Sequence, residues 1–188
     1  MRGQIDKRYL TVSKYLAYGY AWVYTLGLLI GFGYLVLRGD GGAALRGERA
    51  FHPVFFGLDL VLAVLFLVVL LRFREVLEKK FEVRTLDVII PMVGIANLFL
   101  VVMGNLPGRV SSLIALLPFA AATLVYGIRL GFTSHDLLGI RSFYSFTMIA
   151  CGVAGFSLIL APLMPIFWIM GGFALGSFFA RAEQEELL

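Results

Sequence analysis

The sequence predicts an all-α fold: a polytopic membrane helical bundle of six transmembrane helices, one integral membrane domain over residues 1–188. Three observations carry this. Hydrophobic residues make up 60% of the chain and charged residues 15%, against about 45–50% and about 25% in soluble domains. That excess excludes a water-soluble enzyme and a disordered tail. The apolar residues are gathered into long runs, and the lysines and arginines stand at the ends of those runs, where they face headgroups and set orientation.

A helix needs about 20 apolar residues to cross the hydrocarbon core. The first run, Tyr15–Leu37, follows a basic flank of Arg2, Lys7, Arg8 and Lys14. It is longer than the about 7–15 residues of a cleaved signal's core, so it reads as a permanent span. The second run is Val54–Leu71, the third Val88–Gly104 and the fourth Val110–Ile128. A charge-free stretch then extends from Ser142 to Ala180, about twice one crossing. Pro162 and Pro165 break it into a fifth span, Phe143–Leu160, and a sixth, Ile166–Ala180. At ~1.5 Å per residue the sixth reaches only ~22 Å, so five spans plus a short or re-entrant last helix is the alternative. Pro118, inside the fourth run, is expected to kink its helix and free a carbonyl near Ile114.

Two connections have a distinct character. The first, Arg38 to His52, is glycine-rich and reads as a flexible external loop. In the second, Phe73, Val76, Leu77 and Phe81 fall at helical spacing, and Glu75 precedes Lys79 by four. The second helix is therefore expected to continue as an amphipathic piece lying near the headgroups.

Orientation follows from the basic residues. With six spans, twelve of the 16 lysines and arginines fall on one side, and four (Arg38, Arg46, Arg49 and Arg109) on the other. The expectation is a cell (inner) membrane protein, multi-pass, with both termini cytoplasmic.

Intramembrane polar groups are costly and point to function. Asp59 stands well inside a run, as a cation or proton site or as the partner of Arg46 or Arg49. Asn97 shares a face with Gly94, Val101 and Gly104, as a ligand contact or as interhelical glue. Tyr20 and Tyr24 lie one turn apart and their hydroxyls need partners; they make a ligand cradle or bundle packing. Gly27 and Gly31, Gly172 and Gly176, and the Cys151–Gly155 pair form small-residue stripes that let helices approach closely, within the bundle or against a partner.

His52 and His135 fall on opposite sides of the membrane and cannot share a metal or haem, so no metal and no cofactor is expected. His135, Asp136, Arg141 and Cys151 are close in sequence, but Cys151 lies about ten residues into its helix, where a thiolate is disfavoured. Basic patches with interleaved aromatics are absent, so no nucleic acid partner is expected. The expected partners are the lipid bilayer and, through the glycine faces, a second copy or another membrane protein. Three function classes follow: a non-catalytic accessory, scaffolding or assembly module; a small permease or ligand-capturing membrane subunit of a transporter; and, most remotely, a membrane enzyme using Cys151 and His135.

Overall fold

A buried or lipid-facing segment must satisfy its backbone amides and carbonyls internally, which a helix does within one stretch of chain. The computed structural model describes residues 5–38, 53–104, 109–157 and 159–185, and the side-chain surroundings of all of these except 31–38, 53–55 and 109–113. Among the described residues the regular elements are all helical: α1 (Lys7–Arg38), α2 (Pro53–Phe81), α3 (Ile89–Gly104), α4 (Arg109–Gly131), α5 (Arg141–Phe156) and α6 (Met164–Glu185). A 3-10 turn, Ala161–Leu163, joins the last two.

Three of these helical stretches are long and apolar enough to cross a membrane: Phe56–Phe81, Ile114–Gly131 and Ala161–Glu185. A fourth, Ile89–Gly104, is apolar but shorter. At ~1.5 Å per residue, the 16 residues of α3 and the 16 of α5 reach about 24 Å, below the about 30 Å of a hydrocarbon core. The expectation of a short last helix is corrected. α6 has 22 residues, because the helix continues past Ala180 through Arg181 and Glu183. α5 is the shorter of the pair, ending at Phe156 before the turn. Pro118 does not interrupt α4, which is a single helix of 23 residues.

Each helix packs on the next, and α6 returns to pack on both α5 and α1, so the six form a closed ring. Aromatic side chains fill much of its centre. Phe66 of α2 meets Trp168 of α6 at 4.4 Å and Tyr20 of α1 at 5.0 Å between ring centroids. Further along, Phe73 meets Phe178 at 4.9 Å and Tyr144 at 5.8 Å. The extension of α2 beyond Leu71 does not lie along a surface. Phe73, Val76 and Leu77 are completely buried, so the face expected to rest on headgroups is covered by protein.

One end of the ring collects the charges. Lys14 reaches Glu183 at 2.6 Å, joining the start of α1 to the end of α6. Tyr9 donates a hydrogen bond to Glu75 of α2, and Lys80 lies 3.0 Å from Glu185. Arg72 stacks over the Tyr9 ring and donates to the Ser13 hydroxyl. The hydrogen bond to Glu183 holds the Lys14 ammonium above its usual pKa. With the folded value raised, this contact is intact below the ordinary lysine pKa and is lost only as pH climbs through the raised value.

Candidate functional site

In the half of the ring away from the charged end, five helices leave a cavity of about 190 Å³ beneath the α5–α6 turn. Tyr24 comes from α1, Asn97 and Leu100 from α3, Leu116 and Phe119 from α4, and Cys151 from α5; Ala161, Met164, Pro165 and Trp168 close it. The two prolines explain the opening. They stop α5 from running straight into α6, and the turn they make leaves room where side chains would otherwise interlock.

Among the described residues the lining contains no charged side chain. Asn97 is only 8% exposed, and among the described residues none hydrogen-bonds to its side chain. The Asn97 amide lines the cavity, so it presents there a donor and an acceptor that the described residues do not use. The Cys151 thiol points at the Met164 carbonyl at 4.0 Å. Trp168 meets Phe119 nearly edge-on, at 4.9 Å and 66°.

Of the residues singled out from the sequence, Asn97 and Tyr24 are brought together in this lining. Tyr20 stands behind Tyr24, 5.8 Å away between ring centroids, and packs on Phe66. Asp59 is half-buried in α2 and is not part of the cavity; its expected pairing with Arg46 or Arg49 lies outside the described residues. The glycines are mostly internal. A Cβ on Gly94 would strike Leu67, one on Gly155 would meet Ala120 at 2.7 Å, one on Gly172 would meet Ala21 at 3.2 Å, and one on Gly176 would meet Tyr18 at 2.6 Å. Gly27 faces open space, and the surroundings of Gly31 lie outside the described residues. Trp168 and Phe119 were not singled out from the sequence. The signal for Trp168 was its place three residues after Pro165, one of only two tryptophans in the chain.

A second, open hollow of about 580 Å³ lies at the charged end, lined in part by His135, Asp136 and Arg181. Its floor is a left-handed run, Leu137, Leu138 and Gly139 at φ 50°, 60° and 78°. Arg181 donates to the Leu138 carbonyl, and Arg141 to the Thr133 carbonyl at 2.6 Å. His135 belongs to this hollow and Cys151 to the cavity; the ten residues of α5 between Arg141 and Cys151 rise about 15 Å. The two are therefore not assembled into one site. Among the described residues no cluster of three or more metal-ligating side chains occurs. Compared with family models, curated proteins and solved structures, the chain matches none of them.

Proposed function

We propose that this is a six-span membrane protein, with both termini in the cytoplasm, that captures a small molecule in the cavity beneath the α5–α6 turn as a permease or the ligand-binding membrane subunit of a transporter. The observation that carries this reading is the Asn97 amide, 8% exposed and without a hydrogen-bond partner among the described residues, in a lining that is mostly apolar. Polar groups inside a membrane helix are retained at a cost and mark substrate pathways. The charge-collecting end supports six crossings, since the start of α1 and the ends of α2 and α6 meet there.

The accessory reading through glycine faces draws less support, because Gly94, Gly155, Gly172 and Gly176 are occupied within the bundle.

The test is to fill the cavity. Ala161→Phe should abolish the thermal stabilisation that small solutes confer on the detergent-purified protein while leaving it folded. A panel of small solutes that stabilises neither protein, or both alike, removes the capture reading. Uptake of a stabilising solute into proteoliposomes then separates a permease from a capturing subunit.

A further inference from the structure

We propose that the cavity takes a small, uncharged aromatic molecule bearing one hydroxyl, a ligand of the phenol class; this deepens the capture reading and rests on it. Size sets the first bound. An apolar cavity of about 150 Å³ admits a benzene-sized guest, and this partly open one of about 190 Å³ has room for one ring and a substituent.

Charge sets the second. Among the described residues the lining offers no counter-ion, and an ion moved there would shed its hydration without compensation from them. Shape sets the third. The near edge-on meeting of Trp168 and Phe119 offers an aromatic guest the tilted contacts that rings prefer. The Met164 and Cys151 sulfurs beside them are polarizable partners for a ring.

Asn97 supplies the last element. Its amide both donates and accepts, and both capacities are unused by the described residues. A hydroxyl also donates and accepts, so one group on the ligand can engage both halves of the amide. A ligand carbonyl would use only the amide's NH2 and leave its oxygen orphaned; a plain hydrocarbon would leave both.

The experiment is calorimetric titration of the full chain in detergent micelles with phenol, benzene and benzoate, with Ala161→Phe as the control for partitioning into the micelle. Phenol should bind about five- to tenfold more tightly than benzene, the worth of one net hydrogen bond, and benzoate should not bind. Asn97→Leu should bring phenol down to the affinity of benzene, leave benzene unchanged, and leave the unfolding midpoint of the ligand-free protein no lower than before. Equal binding of phenol and benzene, a phenol advantage that survives Asn97→Leu, or preferential binding of benzoate overturns the phenol class while capture stands. A lower unfolding midpoint in Asn97→Leu also overturns it, because Asn97 would then be tying helices together. If none of the three distinguishes the native protein from Ala161→Phe, the capture reading falls as well.

Discussion

At the scale of single residues, glycines with the same sequence signature do different things. A methyl on Gly152 would come within 2.7 Å of the Leu124 backbone nitrogen and 2.8 Å of the Ala120 carbonyl oxygen, and backbone cannot swing aside; Gly27 has nothing within 4 Å. Overpacking of this kind costs about 1–3 kcal/mol, whereas a surface change stays within about 0.5 kcal/mol. Gly152→Ala should therefore lower the thermal unfolding midpoint in detergent clearly and Gly27→Ala should not. Equal effects would mean that α4 and α5 are not in such close contact. The sequence marked Gly27 and left Gly152 unmarked. A GxxxG spacing records that two small residues share a helix face, but which neighbour that face meets depends on the ring order of all six helices. Asn97 was legible for a different reason: a lone amide in an apolar run is anomalous wherever the helix turns.

At the scale of elements, the connection between α4 and α5 carries two of the three left-handed non-glycine residues among the described ones, the third being Glu82 after α2. Leu137 and Leu138 are held in a left-handed conformation that costs a non-glycine residue roughly 1–2 kcal/mol. Burial of Leu137 and the Arg181 bond to the Leu138 carbonyl keep them there. Removing the clamp by Arg181→Ala should speed hydrogen–deuterium exchange of the amides in 133–140 while those in the middle of α4 and α5 stay protected. Unchanged exchange in the loop would show that Leu137 alone holds it. This connection was not legible in sequence, because its shape is imposed by an arginine more than 40 residues away. The span boundaries were partly legible. Proline and charge marked where helices turn, yet the last helix runs on past the expected end at Ala180 to Glu185, since Arg181 and Glu183 find partners in the loop and in α1.

At the scale of the whole molecule, the helical class was legible because it depends on composition and run length alone. The number of crossings was less so: among the described residues three helical stretches are long and apolar enough, and the others are shorter or rich in tyrosine. The six-span proposal predicts that reporters fused after Asn105 and after Leu188 lie on opposite sides of the membrane, the second in the cytoplasm. An external signal at Leu188 would overturn it. The closed ring also has a consequence for biogenesis. α1 and α6 pack directly together and both line the cavity, yet 125 residues (39–163) separate the end of one from the start of the other. At about 5–20 residues per second of translation, the first helix waits roughly 6 to 25 seconds for its mate. Until Met164 onward has been made, the wall that α6 gives the chamber is missing, so the proposed capture has to await the docking of α6 on α1.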